Sequence, residues 1–254
     1  MPDTLITRHA IPRALKPLTD RTYIMLIKGS FVTEASGSLG GITAARNKGG
    51  QYLRARAVPV NPNSPSQQSA RTSFASLVTI WTESLTPTQR QSWDTYAQNV
   101  PVTNKLGDTK LLSGQNWYIG TNTPRIIAGL SSVASAPTTF DNATLNPVSL
   151  AASDAAPTEL ALTFDTGQDW ADENGAALLV QVSKPQNAST NFFKGPFRFS
   201  TAILGNATTA PTSPATIDTP FPVTAGQKVL VRSRLSRADG RLSFAQIVET
   251  IVTV

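Results

Sequence analysis

The sequence predicts an α+β protein: an N-terminal extended arm and β-hairpin, a short helical hairpin segment, and a C-terminal antiparallel β-sandwich of the immunoglobulin or fibronectin kind. Three observations predict it: a basic first quarter, two closely spaced helix-start signatures, and a final stretch of alternating apolar runs divided by turn residues. We expect an extended basic arm over 1–21, a β-hairpin plus helical domain over 22–130, a linker or first strand over 131–158, and a sandwich domain over 159–254.

The positive charge of the chain is concentrated at its N-terminus. Residues 1–60 carry nine basic and three acidic side chains, so their balance of +6 equals the net charge of the whole chain. Residues 131–254 carry eight basic and ten acidic side chains, a balance of −2. This asymmetry is typical of an arm that binds an acidic neighbour, either nucleic acid or another subunit. We favour a protein neighbour because no nucleic-acid motif or aromatic platform accompanies the charge.

Two β-rich runs on either side of a glycine turn predict the hairpin. The runs GGITAARN and QYLRARAV flank a turn at 48–50. Because side chains alternate along a strand, Arg54 and Arg56 share one face of the second run, and Leu53 and Ala55 share the other. We expect the basic face to point outward or toward a partner.

The helices are marked by repeated N-terminal signals. Ser64-Pro65 and Thr86-Pro87 each combine an N-cap residue with proline at the first helical position, and a Gln follows in place to close a capping box. The short connection between the two helices predicts an αα-hairpin. A third helix is expected to begin at Ser113 and to end before Pro124. Three of the four tryptophans lie in this segment and are expected to pack in its core: Trp81, Trp93 and Trp117.

The C-terminal part has the pattern of an all-β domain. Residues 131–158 are rich in Ala, Ser, Thr and Pro and lack periodicity, which indicates the domain boundary. Beyond them, runs such as ELALTFD, AALLVQVSK and KVLVRSRLS alternate with turn clusters such as DENG and RADG. Short strands at this spacing predict a sandwich of two antiparallel sheets.

Composition excludes several kinds of chemistry. The chain contains no cysteine and one histidine, His9, so it has no thiol nucleophile, disulfide or Cys/His metal site. No apolar run reaches the ~18 residues that a membrane span needs, and no secretory signal is visible. We therefore expect no cofactor, no metal, no membrane partner and no small-molecule substrate.

Two motifs are candidates for a catalytic or metal-binding site. Leu162 to Gly167 contains Asp165-Thr166-Gly167, which resembles the Asp-Thr-Gly signature of aspartic proteases, although Gln168 stands where a small residue is expected. A strand ending in a turn is the favoured interpretation. The acidic loop 165–174 could offer oxygen ligands to calcium, but its spacing is not that of an EF-hand, and a solvated turn is favoured.

Four arginines near the C-terminus allow two interpretations. Arg232 and Arg234 are predicted to share one face of a strand, and Arg237 and Arg241 flank the Ala238-Asp239-Gly240 turn. A solvated strand face is the default. Contact with an acidic neighbouring subunit is the alternative.

The segment 40–130 carries a recurring set of turn, helix-start and aromatic residues: Gly40, Gly41, Arg46, Gly49, Gly50, Arg54, Arg56, Pro59, Asn61, Pro62, Gln67, Gln68, Arg71, Phe74, Trp81, Leu85, Thr86, Gln89, Arg90, Trp93, Tyr96 and Ala97. With these residues the segment resembles a family of bacteriophage and prophage proteins, and the strands leading to the Arg-Ala-Asp-Gly turn at 237–240 resemble the sandwich that follows in related proteins. The resemblance implies a virion or virion-assembly protein, with no catalytic residues to carry over.

The expected function is therefore non-enzymatic: a structural component of a bacteriophage particle, in the capsid, neck or tail, that binds its own copies and other virion proteins. It would be made in the host cytoplasm and reside in the virion. One alternative is a nucleic-acid-binding module that uses the basic first 60 residues. A remote alternative is a dimeric aspartic protease at Asp165. The candidate subunit-contact residues are Arg46, Lys48, Arg54, Arg56, Gln67, Gln68 and Arg71.

Overall fold

The computed structural model describes residues 25–28, 34–47, 50–104, 106–153 and 155–254. The arm predicted over 1–21 and Lys48 in the predicted turn lie outside the described residues. The α+β class is confirmed, because the described part of the chain contains three α-helices and several antiparallel sheets that include a β-sandwich. Contacts divide the chain into two compact units, Met1–Asn61 and Pro62–Val254.

The first unit contains a four-stranded antiparallel sheet with the strand order β1-β2-β3-β4. The predicted hairpin is present as β3 and β4, whose pairing runs from Ile42 opposite Ala55 to Asn47 opposite Gly50. Two further strands extend it into a meander, in which each strand pairs with the next one along the chain. The strands are β1 Met25–Lys28, β2 Glu34–Leu39, β3 Ile42–Asn47 and β4 Gly50–Ala55.

The second unit begins with two helices at the predicted starts, α1 Pro65–Thr79 and α2 Pro87–Asn99. The N-cap Thr86 accepts a hydrogen bond from the Gln89 amide at 3.2 Å, and the Gln89 side chain accepts one from the Thr86 amide at 2.9 Å. A π-helical segment, Ile80–Ser84, continues α1. Both helices pack on α3 Gly114–Ile127, so this third helix organises the helical region.

The prediction that the third helix ends before Pro124 is wrong. Pro124 lies inside α3, which ends at Ile127 with Ala128 as its C-cap, and the next residue, Gly129, has φ +78°. The amide of Leu130 donates to the Arg125 carbonyl, and the amide of Gly129 donates to the Ile126 carbonyl, which is the Schellman arrangement. This cap and the anchoring of Arg125 hold the last turn in place. None of the described helices is long and apolar enough to cross a membrane.

Five aromatic side chains from α2, α3 and the π-helical segment form the centre of the helical region. Trp93 is completely buried, and its ring lies edge-on to Tyr96 and Tyr118 at centroid distances of 6.0 and 5.6 Å. Trp81 and Trp117 pack against the same cluster, at 5.4 Å from Tyr118 and 5.3 Å from Tyr96 respectively. The predicted core role of these three tryptophans is confirmed.

The C-terminal strands form two antiparallel sheets with a shared core. One sheet has the order β12-β8-β7; in the other, β13 lies between β14 on one side and β9 with β10 on the other, and β11 pairs with β9. Leu160 and Leu162 of the first sheet and Leu178, Val180 and Val231 of the second are buried in one cluster. The strands are β7 Ser149–Ala152, β8 Glu159–Thr163, β9 Ala177–Ser183, β10 Gln186–Asn187, β11 Phe197–Leu204, β12 Ala215–Asp218, β13 Gln227–Ser236 and β14 Gln246–Ile251. Two short strands, β5 Val102–Thr103 and β6 Thr109–Lys110, pair between α2 and α3.

The segment predicted as a linker is fixed to the helical region and also supplies the strand β7. Trp93 Nε1 donates to the Ala134 carbonyl at 2.9 Å, and the Tyr96 hydroxyl donates to the Asp141 carbonyl at 2.8 Å. Leu145 and Val148 then enter the sandwich core. The compact units accordingly divide after Asn61, whereas the predicted boundary lay within 131–158. Composition identified an irregular segment, but it could not show that the segment is packed.

Candidate functional site

One face of the four-stranded sheet is apolar and largely exposed. Leu39 lies opposite Ile42, and Ala44 lies opposite Leu53, so these side chains share a face. Leu39, Ile42 and Leu53 are 52%, 48% and 62% exposed. On the same face Ala44 is buried, so the surface is exposed at its large side chains and covered at this alanine. We name this surface the apolar sheet face. A sheet normally buries one face, so the apolar sheet face is the first candidate for an interaction site.

The opposite face of the sheet is polar. Ser38 and Thr43 lie opposite each other and their hydroxyls are 2.7 Å apart. Arg54 and Tyr52 alternate with Leu53 along β4 and so belong to this polar face, as predicted for Arg54. Arg46 lies opposite Gln51 on the other face, beside the apolar residues. The basic candidates of the hairpin therefore do not form one patch.

The candidates on the first helix stabilise its own N-terminus. The Ser64 amide donates to Gln67 Oε1 at 3.1 Å, which is half of the predicted capping box. Gln68 Nε2 donates to the Asn63 carbonyl at 3.3 Å, and Arg71 donates to the Asn63 side chain at 3.0 Å. Gln68 and Arg71 remain exposed and can still meet a partner.

Asp165 occupies a turn after β8. One carboxylate oxygen accepts a hydrogen bond from the Gly167 amide at 2.9 Å, and the other accepts one from Asn146 Nδ2 at 2.7 Å. These two hydrogen bonds hold the pKa of the Asp165 carboxyl below its ordinary value. In an aspartic protease, the negative charge of one carboxylate raises the pKa of the second carboxyl. The hydrogen bonds of Asp165 act in the opposite direction, so they fit a structural turn better than a protease site.

The acidic loop uses its side chains in separate local contacts. Glu173 forms an ion pair with Arg237 and accepts a hydrogen bond from the Ala238 amide at 3.1 Å. The Asn174 side chain accepts a hydrogen bond from the Ala207 amide at 3.1 Å. Across the described ranges, no three or more acidic or histidine side chains converge in an arrangement that could hold a metal ion.

The late arginine run separates into two pairs with different surroundings. Arg237 contacts Glu173, and Arg241 lies 2.6 Å from Asp141 and 2.7 Å from Asp239. These contacts are within the chain. Arg232 and Arg234 instead lie on the outer face of the larger sheet, under α3, and both are partly buried. The default prediction of a solvated strand face is therefore wrong for the second pair, because a helix distant in sequence covers it.

Sequence reasoning selected the basic residues of the hairpin and overlooked the apolar ones. The alternation along β4 places Leu53 and Ala55 on one face, but only the basic face was predicted to point outward or toward a partner. The signal that could have identified it is the apolar character of Leu39, Ile42 and Leu53 at positions that alternate with polar residues.

Comparison of the chain with protein-family models, with curated proteins and with solved structures gave no match. Any functional conclusion therefore rests on the residues and their geometry.

Proposed function

We propose that this protein is a structural component of a bacteriophage particle that assembles through contacts between its own copies and with neighbouring virion proteins. The observation that supports the proposal is the apolar sheet face, carried by a compact unit of its own. The occupant that we assign to this face is a second copy of the chain. The resemblance of residues 40–130 to phage proteins gives the biological context.

The energetic argument starts from the exposed side chains of the apolar sheet face. Fully burying a Leu or Ile side chain contributes about 1.5 to 3 kcal/mol. Because Leu39, Ile42 and Leu53 are each about half exposed, covering them could contribute roughly 2 to 5 kcal/mol of gross stabilisation. When two copies cover each other's apolar sheet face, each copy contributes this free energy of burial. That gain is large enough to offset much of the entropy lost on association.

Charge supports contacts between copies as well. Residues 1–60 carry a balance of +6 and residues 131–254 a balance of −2. The basic part of one copy and the acidic part of another are therefore complementary, which favours ordered association over random aggregation. Low surface charge elsewhere suits a protein whose surface is buried in a particle.

The test compares two substitutions at adjacent positions of β4. Leu53→Lys places a charge on the apolar sheet face, whereas Tyr52→Lys places the same charge on the polar face, where Tyr52 is 43% exposed. We expect the full-length protein to form a defined oligomer, ring or tube, measured by light scattering and electron microscopy. Leu53→Lys should reduce the mass to that of the monomer, and Tyr52→Lys should leave it unchanged.

Two results would contradict the proposal. A full-length protein that stays monomeric at every concentration would show that the chain does not assemble with its own copies. Equal loss of mass in both variants would mean that the apolar sheet face is not the interface. Nucleic acid that copurifies with the monomer, and whose affinity falls steeply with salt, would favour the nucleic-acid-binding alternative.

A further inference from the structure

Two adjoining cavities lie between α3 and the outer face of the larger sheet of the sandwich. Their volumes are about 430 and 360 Å³, and Gly120 and Arg234 line both. Arg232 lines the smaller cavity, and Trp117 lines the larger one. These volumes are in the range of small-molecule sites, so a ligand of several non-hydrogen atoms fits.

Among the described residues, no acidic side chain pairs with either of the two arginines at the cavities. The described residues that line the cavities include no aspartate or glutamate. Arg234 Nε donates to the Ser243 carbonyl at 3.0 Å, and the Arg232 guanidinium lies over the Phe197 ring at 5.9 Å from its centroid. Burial, and then the neighbouring Arg232, lower the pKa of Arg234 to about 10. Two desolvated cations on one strand face are costly without an anion.

Two further buried donors belong to the lining residues. Trp117 Nε1 and Arg232 Nε are both buried without an acceptor. Buried polar groups in folded proteins are nearly always paired, so the unpaired Arg232 Nε, beside a cavity lined by two arginines and no carboxylate, indicates a missing acceptor. Beside the two arginines, the smaller cavity is lined mainly by apolar side chains, among them Ile127, Leu179 and Phe199. The walls of the larger cavity are mixed, with Val102 and Leu112 beside Asn116 and Asn142.

We propose that these cavities bind a carboxylate that has an apolar body, with its oxygens on Arg232 and Arg234. Guanidinium groups match the planar carboxylate and can bind it through paired hydrogen bonds. A strongly hydrated phosphate suits apolar walls less well. The carboxylate has two conceivable sources: a free small molecule, or an Asp or Glu side chain of a neighbouring copy. This inference does not depend on the proposed assembly.

The ligand arm of the test uses hexanoate, acetate, inorganic phosphate and the neutral analogue 1-hexanol with the full-length protein. We expect hexanoate to bind more tightly than acetate or phosphate in titration calorimetry, and hexanol not to bind. At about 100 times its Kd, hexanoate should raise Tm by roughly 5 to 10 °C. Phosphate binding as tight as hexanoate binding would overturn the assignment of a carboxylate.

Three variants show whether the binding occurs at the cavities. Arg234→Gln removes one cation, and Gly120→Leu fills the space, since a Cβ at Gly120 meets no atom within 4 Å. Both should abolish the Tm shift. Gly120→Leu also replaces a helical glycine by a good helix former, so the protein should fold without the ligand. The control Arg198→Gln removes an exposed arginine of β11 and should preserve the shift.

The second arm distinguishes the source of the carboxylate. The carboxylate belongs to a neighbouring copy if hexanoate does not bind and the oligomer mass depends on the cavities. In that case Arg234→Gln and Gly120→Leu lower the oligomer mass, and the control Arg198→Gln does not. A Leu53→Lys monomer that still binds hexanoate shows that the cavities act independently of the sheet. The proposal is overturned if no carboxylate binds and the oligomer mass is unaffected, or if binding is equal in all three variants.

Discussion

Arg125 is a buried residue on which the second unit depends. It lies in the last turn of α3, is 4% exposed, and donates to the carbonyls of Ser131, Gly175 and Arg237 at 2.8 to 3.1 Å. It also donates to the Ser236 hydroxyl at 2.9 Å. Burial lowers the pKa of its guanidinium, but the nearby Asp239 and Glu173 act in the opposite direction. One side chain therefore ties the helical region to the sandwich.

We expect Arg125→Met to lower the free energy of unfolding by about 3 kcal/mol. The substitution keeps an apolar stem but leaves three part-buried carbonyls and the Ser236 hydroxyl without their donor. Each unsatisfied group costs about 1 kcal/mol or more, offset in part by removal of a buried charge. Urea unfolding followed by tryptophan fluorescence measures the change. The control Arg198→Met, at an exposed site, should change it by less than about 0.5 kcal/mol. Equal stability of the two variants would mean that Arg125 is dispensable.

At the scale of single elements, the helix starts illustrate how local chemistry determines structure. The capping box at Thr86 and Gln89 involves residues three positions apart, so no distant contact is needed to form it. The end of α3 is a contrasting case. Pro124 predicts a stop, but the Arg125 contacts and the Gly129 cap continue the helix past it. A proline is a local signal, and distant hydrogen bonds can offset its cost.

Thr86→Ala should destabilise the second unit by about 1 kcal/mol, because the Gln89 amide loses its acceptor at the start of α2. Thermal unfolding followed by circular dichroism measures the effect. Thr88→Ala is the matched control: the residue is exposed in the same first turn and is not the N-cap. If Thr88→Ala lowers Tm as much as Thr86→Ala does, the effect is not due to capping.

At the scale of the whole molecule, the separation into two units makes the second one a candidate for independent folding. Residues 62–254 contain the aromatic cluster, the sandwich core and all the contacts of Arg125. We expect a chain limited to 62–254 to unfold in one cooperative transition and to be a monomer in analytical ultracentrifugation, since it lacks the apolar sheet face. A truncated chain that does not fold would show that the first unit contributes to the core of the second.

The sequence by itself determined the fold class, the helix starts, the hairpin and its alternating faces, and the core role of three tryptophans. These features depend on residues a few positions apart, where periodicity, capping and turn preferences act directly. Only the tertiary structure decided that the chain from Ala134 to Asp141 is packed along the helices, that α3 covers Arg232 and Arg234, and that Arg241 pairs with Asp141. Such contacts join residues about 40 to 110 positions apart. Local sequence patterns carry no information about which distant surfaces meet. The candidate carboxylate site could not be predicted from them, because α3 and the larger sheet form it together.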